Sequence, residues 1–195
     1  MNDRFLKACR REPVDCTPVW FMRQAGRYMP EYRALRAKHT LLEICAQPEL
    51  AAQVTLQPIN AFDVDAAILF SDILLPLVPL GFELDFIKGE GPVIHNPVRD
   101  ASQVQKIPRI DVRDQLGYVL ETIRITRSTL ENRVPLIGFA GSPWTVATYI
   151  VEGGSSREFS RIKGMMYEEP ATLHSLLELL VESTRSYLNA QIAAG

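Results

Sequence analysis

The chain is poor in the residues that would signal a cross-link, a metal centre or a membrane. It has three cysteines, Cys9, Cys16 and Cys45, in 195 residues. Their number is odd and no Cys-x-x-Cys spacing occurs, which argues against a disulfide framework or a zinc site and leaves them as thiols without an assigned task. The three histidines are equally scattered: His39 in a basic helical stretch, His95 in an irregular segment, His174 at the start of a long helix. None pairs by spacing with another ligand, so no metal is expected. No apolar run approaches the about 18 residues of a membrane span. The opening MNDRFLKACRREP lacks both the apolar core of a signal peptide and the acid-poor character of a transit sequence. A reducing, cytoplasmic location is therefore expected. The net charge of -2 gives no bulk attraction to nucleic acid, and no nucleic-acid-binding module is recognisable. A glycine-rich phosphate loop is also missing: VEGGSSREF has the glycines and serines but neither a lysine nor a preceding strand.

What is present is the composition of an ordinary globular protein, 47% hydrophobic and 23% charged, long enough to bury a sizeable core. Strand-like apolar runs alternate with helical patterns, the signature of parallel βα architecture. TPVWFM reads as a first strand. PELAAQVTLQPINAF follows as a helix opened by Pro48, with a kink or end near Pro58. DAAILF is a second strand, apolar throughout as strands buried on both faces are. Between Leu75 and Val98 two short alternating runs flank Gly89-Glu90-Gly91, which predicts a β-hairpin excursion. QLGYVLETIRITRSTLENR restores helical spacing through Leu116, Leu120, Ile123 and Leu130, and VPLIGFAG is a third buried strand. Ser142-Pro143 caps and opens a helix that Gly153-Gly154 stops. After a short helical stretch from Arg157 to Met166, Pro170 opens a long amphipathic helix with the stripe Leu173, Leu176, Leu177, Leu180, Val181, Leu188 and Ile192. Three strands cannot close a parallel barrel, which needs eight βα units and about 250 residues. The expectation is the first part of a larger α/β fold, ending at a helix-to-strand joint with a fourth strand to follow.

In βα folds the reactive face lies at the carboxyl ends of the strands. Arg23 and Arg27 follow the first strand, Ser71 and Asp72 the second, and the helix after the third carries Tyr149. Each has a plainer reading: solvated loop cations for the arginines, a turn cap for Asp72, core packing for Tyr149 beside Val146 and Ile150. Taken together they place two guanidiniums, a carboxylate and a phenol at one mouth. From Arg10 to Lys38 seven basic residues stand against three acidic ones, a local balance of +4. Arginine's planar fork matches anions bidentately, and without a phosphate loop carboxylates become the better candidate ligand. Asp63 and Asp65 flank the start of the second strand, at the opposite end, and read as structural.

Four stretches, PVWFMRQAGRYMPEYR, LQPINAFDVDAAILFSDIL, GFAGSPWTVATYIVEGG and YLNAQIAAG, closely resemble the uroporphyrinogen decarboxylase family over essentially the whole chain. The resemblance implies a single TIM (β/α)8-barrel domain, of which residues 1–195 hold the first three or so βα units. It further implies a homodimer in the cytoplasm that needs no metal or organic cofactor and acts on uroporphyrinogen III, a polyanionic tetrapyrrole, removing carbon dioxide from four acetate side chains to give coproporphyrinogen III. Carried onto this sequence, the substrate-binding residues are Arg23, Gln24, Ala25, Gly26, Arg27, Asp72 and Tyr149, with Arg23, Arg27, Asp72 and Tyr149 catalytic. Met29 stands where the family often has leucine and Asn60 where arginine is common. The remaining family contacts lie beyond residue 195, so the 195-residue chain alone is expected to be inactive. The competing expectations are a corrinoid or thiol methyltransferase of the same superfamily, whose relatives generally lack the Arg-Gln-Ala-Gly-Arg-Tyr stretch, and a fragment that binds tetrapyrroles without catalysis or does nothing.

Overall fold

The computed structural model describes residues 3–21, 28–109 and 112–195. In chain order the elements are α1 (Arg4–Cys9), α2 (Pro30–Arg36), α3 (Leu41–Cys45), α4 (Pro48–Ala61), β1 (Ala67–Ile68), β2 (Leu84–Ile87), β3 (Gly91–Ile94), α5 (Ala101–Lys106), α6 (Val112–Gln115), α7 (Gly117–Leu130), β4 (Leu136–Ile137), α8 (Pro143–Glu152), α9 (Ser160–Glu168) and α10 (Pro170–Ala194), with a 3-10 turn at Leu75–Leu77. Local chemistry explains several of the boundaries. Prolines open α2, α4 and α8, where first-turn N–H groups have no intrahelical acceptor and a missing donor is harmless. Thr40 and Glu43 close a capping box on α3, with Thr40 Oγ1 accepting the Glu43 N–H at 3.1 Å and the Glu43 carboxylate accepting the Thr40 N–H at 2.7 Å. Helix α4 continues through Pro58 to Ala61 instead of ending there, because the Pro58 carbonyl still accepts the Phe62 N–H at 2.9 Å.

The chain divides into two compact units. The first runs up to Ser71 and takes in Gly117–Phe139 and Gln191–Gly195; the second comprises Asp72–Leu116 and Ala140–Ala190. In the first, β1 and β4 pair in parallel with Ala67 opposite Leu136 and Ile68 opposite Ile137. Backbone bonds from Ala67 to Pro135 and from Leu69 to Ile137 lengthen the pairing beyond the two-residue ladder. A cluster of Ala67, Leu130 and Val134 takes Leu56, Ile59 and Leu136 against it, so α4 and α7 bury their apolar stripes beside the strand pair. The parallel βα alternation expected from the sequence is present here. Of the first expected strand, residues 17–21 are described and Met22 lies outside the described residues; the described part belongs to no ladder among the described residues, and Val19 exchanges bonds with Asp65. The Val19 N–H donates to Asp65 Oδ2 at 2.7 Å and the Asp65 N–H to the Val19 carbonyl at 2.8 Å. A side chain thus takes the donor that a neighbouring strand would have taken.

The second unit holds the expected hairpin, with Leu84 opposite Ile94 and Ile87 opposite Gly91. It also holds α8, capped by Ser142 Oγ on the Thr145 N–H at 3.2 Å and stopped by Gly153, whose φ of 88° is the left-handed conformation that ends helices at glycine. Ser142→Ala is expected to lower stability by about 1 kcal/mol, read as a shift in the urea midpoint at constant slope. On α10 the expected stripe is only half right. Leu173, Leu176 and Leu180 are buried with Tyr187 and Ala190, whereas Val181, Leu188 and Ile192 are 52%, 39% and 77% exposed. The three exposed residues share a separate face, since steps of seven and four residues return to one side of a helix about 100° round from Leu180. Among the described residues no helix is long and apolar enough to cross a membrane.

Candidate active site

The first unit builds the carboxyl ends of its paired strands from unusual partners. As β1 ends, Thr55 of α4 takes the Phe70 N–H on its hydroxyl at 2.9 Å while donating to the Ala51 carbonyl at 2.9 Å, which draws the chain off the ladder. Ser71 follows, its Oγ buried and without a partner among the described residues. At the end of β4, Phe139 is held by the side chain of Gln191: its N–H donates to Oε1 at 3.1 Å and its carbonyl accepts from Nε2 at 2.9 Å.

Of the residues expected to grip an anion, Arg23, Gln24, Ala25, Gly26 and Arg27 lie outside the described residues. The chain on either side of them is tied to both ends of β1. Before them, Val19 is bonded to Asp65, two residues ahead of the strand. After them, Tyr32 on α2 meets Phe70 edge-on, ring centroids 5.5 Å apart at 63°. Asp65 itself is structural, in keeping with its position at the amino end of the strand. It is buried and accepts from Arg4 Nη1 at 2.5 Å, while Arg4 also grips Asp15 through Nε at 2.6 Å and Nη2 at 2.7 Å. Those hydrogen bonds hold the exposed Asp15 carboxyl down to about 2.

In the second unit, Asp72 opens the turn that follows the strand. Its Oδ1 accepts the Leu74 N–H at 2.8 Å and its carbonyl accepts the Leu75 N–H at 3.3 Å. The turn-cap reading is therefore correct as far as it goes. Among the described residues one carboxylate oxygen has no hydrogen-bond partner and no cation pairs with the group. Burial pushes the Asp72 carboxyl above its ordinary value, and the Leu74 N–H offsets this only in part. A half-buried carboxylate without a counter-charge is costly to keep, which is the pattern that marks binding and catalytic acids.

Tyr149 lies on α8 between buried neighbours, Thr148 and Ile150, and is itself half-buried. Its helix is close to the Asp72 turn. A Cβ added at Gly141 would stand 2.7 Å from Val146 Cγ2 and 3.1 Å from Ile73 Cβ, so Ile73 and Val146 pack together over that glycine. Asp72 is one residue before Ile73, and Tyr149 one helical turn after Val146. Thr55 and Gln191, which hold the backbone at the two strand ends, carry no signal of this in the sequence. Thr55 sits mid-helix and Gln191 in an amphipathic tail, positions where a polar residue carries no signal of a distant backbone partner.

His95, on the hairpin, pairs across the exposed surface with Asp85, Nε2 to Oδ2 at 2.9 Å. Cys9 and Cys16 are exposed and Cys45 buried, none of them in a disulfide.

Comparison with known proteins places these features. The chain matches curated uroporphyrinogen decarboxylases from Thioalkalivibrio sulfidiphilus at 57% identity, Sorangium cellulosum at 56% and Nitrosococcus oceani at 57%, in each case over all of this chain and 56%, 56% and 55% of the relative. The chain thus spans a little over half the length of these relatives. Among solved structures, a methyltransferase from Methanosarcina mazei superposes with a TM-score of 0.79 over the whole chain and 56% of its own, at 24% identity, which is a likeness of fold alone. The profile described as uroporphyrinogen decarboxylase (URO-D) covers residues 1–195. With the Asp72 turn packed against the helix of Tyr149 and this match running from end to end, the chain belongs to the uroporphyrinogen decarboxylase family.

Proposed function

We propose that this chain is the amino-terminal part of a single (β/α)8-barrel enzyme that converts uroporphyrinogen III to coproporphyrinogen III by removing the carboxyl groups of its four acetate side chains. Each removal replaces one C–C bond by one C–H bond: the carboxylate of the acetate side chain leaves as carbon dioxide, and its remaining CH2 takes up one proton to become a methyl group. The electron pair left by the departing carbon dioxide needs a sink. A pyrrole supplies its own when the ring carbon next to the acetate-bearing carbon is protonated, because the cationic ring accepts the pair as an exocyclic double bond. Protonation of that exocyclic carbon and loss of the ring proton restore the pyrrole.

Asp72 is suited to such a substrate. Its unpartnered carboxylate oxygen would accept pyrrole N–H bonds and offset the cationic ring, and preorganised charge of this kind contributes roughly 3–4 kcal/mol per well-placed group. Arg23 and Arg27 would hold the substrate's carboxylates. With an ordinary pKa above about 12 they are anchors rather than proton donors. Gln24, Ala25 and Gly26 would bring the backbone between them alongside the substrate, and Tyr149 would donate its O–H to a carboxylate. A homodimer and a cytoplasmic location are part of the same proposal.

The observation that carries the proposal is the half-buried Asp72 at a strand end, paired with no cation among the described residues, in a chain with this family membership. The test is anaerobic incubation of the full-length gene product with uroporphyrinogen III, products being separated by side-chain carboxyl number. Stepwise loss to the four-carboxyl product is expected, and an unchanged substrate would refute the assignment. Arg27→Ala in the same protein is expected to raise KM about tenfold with a smaller effect on kcat, as loss of one charge-assisted pair to a bound carboxylate. A KM equal to wild type would show that this arginine is a solvated cation.

A further inference from the structure

Gln191 is buried, with a relative exposure of 5%, and its carboxamide spends both its functional groups on one backbone residue. Phe139 lies two residues past the β4 ladder, at the carboxyl end of the strand. There its N–H and carbonyl would need a neighbouring strand, and a primary carboxamide offers the same donor and acceptor pair as a peptide group. The residue before it is shaped to admit that carboxamide. A Cβ on Gly138 would stand 2.5 Å from Gln191 Oε1, so only glycine leaves the room.

We propose that Gln191 is a positioning residue, a side-chain substitute for a strand that fixes the Phe139 peptide where the end of β4 faces the substrate. This rests on the decarboxylase reading given above. Among the described residues the carboxamide hydrogen-bonds only to the Phe139 backbone, so it is assigned no chemical step. Its effect is on the shape of the strand end at Phe139.

The test uses the full-length gene product. Gln191→Glu keeps the length and the acceptor for the Phe139 N–H, but an ionised carboxylate sets an oxygen against the Phe139 carbonyl. The protonated acid restores the missing donor. Both hydrogen-bond partners are backbone groups that do not titrate, and burial next to a carbonyl favours the protonated form of the introduced acid. Relative to wild type at the same pH, kcat/KM of Gln191→Glu is expected to be down about tenfold at pH 8 and to recover as pH falls, while Gln191→Leu stays low at every pH. Gly138→Ala, which displaces the carboxamide without changing it, is expected to lower kcat/KM to a similar degree with no pH-dependent recovery. Folded population is checked by circular dichroism at each pH. A Gln191→Glu ratio that does not change with pH, or wild-type kcat/KM in Gly138→Ala, would overturn the proposal. A wild-type protein without decarboxylase activity would instead overturn the functional reading beneath it.

Discussion

Asp72→Asn in the full-length gene product is expected to lose at least about 100-fold in kcat while gaining thermal stability at neutral pH. The two effects have one origin. Asparagine is isosteric and still accepts the Leu74 N–H that holds the turn, so the fold is retained. It cannot supply the negative charge that offsets a protonated pyrrole, so the chemical step slows. The stability gain follows from linkage. Burial raises the folded-state value above the ordinary 3.8, so between the two values the unfolded chain binds fewer protons than the folded one, and wild-type stability falls as pH rises. Below about pH 3.8 the carboxyl is protonated in both states and wild type and variant should coincide. Above the raised value the full penalty is present in wild type and absent from Asp72→Asn. Melting curves of both proteins from pH 3.5 to 8 check this. Equal stability at every pH would show that Asp72 is no more strained than a surface turn cap.

The second large effect is expected at Gly141. Its position admits no side chain, because a Cβ would come within 2.7 Å of Val146 and 3.1 Å of Ile73. Gly141→Val must push apart the Asp72 turn and the first turns of α8, and overpacking of this kind costs about 3 kcal/mol. The variant should therefore lose stability, seen as a lower urea midpoint. Its remaining folded population should also turn over slowly, by about tenfold or more, since displacement of a catalytic group by around an ångström is costly. Wild-type kcat in folded Gly141→Val would show that the spacing between Asp72 and Tyr149 does not matter to the chemistry.

Much of this architecture could be read from residue order. Buried runs at DAAILF and VPLIGFAG, prolines at helix starts and the Ser142 and Gly153 caps are local signals, and local signals place elements. At TPVWFM the apolar pattern is a local signal, but the partner of Val19 is not: over the described residues 17–21 it is held by both the carboxylate and the backbone N–H of Asp65, 46 residues away. On α10, Val181 and Ile192 match an apolar stripe by composition, and only the packing of Leu180, Tyr187 and Ala190 decides which face turns inward. For the proposed site, Asp72 and Tyr149 could be nominated from the sequence because strand ends are where βα folds display polar groups. Gln191 could not, since its partner lies 52 residues away along the chain. Nor could the sequence tell that Asp72 would be both a turn cap and a carboxylate with an oxygen to spare.

In the proposed enzyme this carboxylate oxygen of Asp72 binds the pyrrole N–H groups of a tetrapyrrole. The most direct test is a crystal structure of the full-length gene product grown anaerobically with coproporphyrinogen. The expected result is a macrocycle seated over Asp72, with pyrrole nitrogens within about 3 Å of its carboxylate. A tetrapyrrole bound elsewhere, with Asp72 still engaged only by the Leu74 N–H, would contradict it.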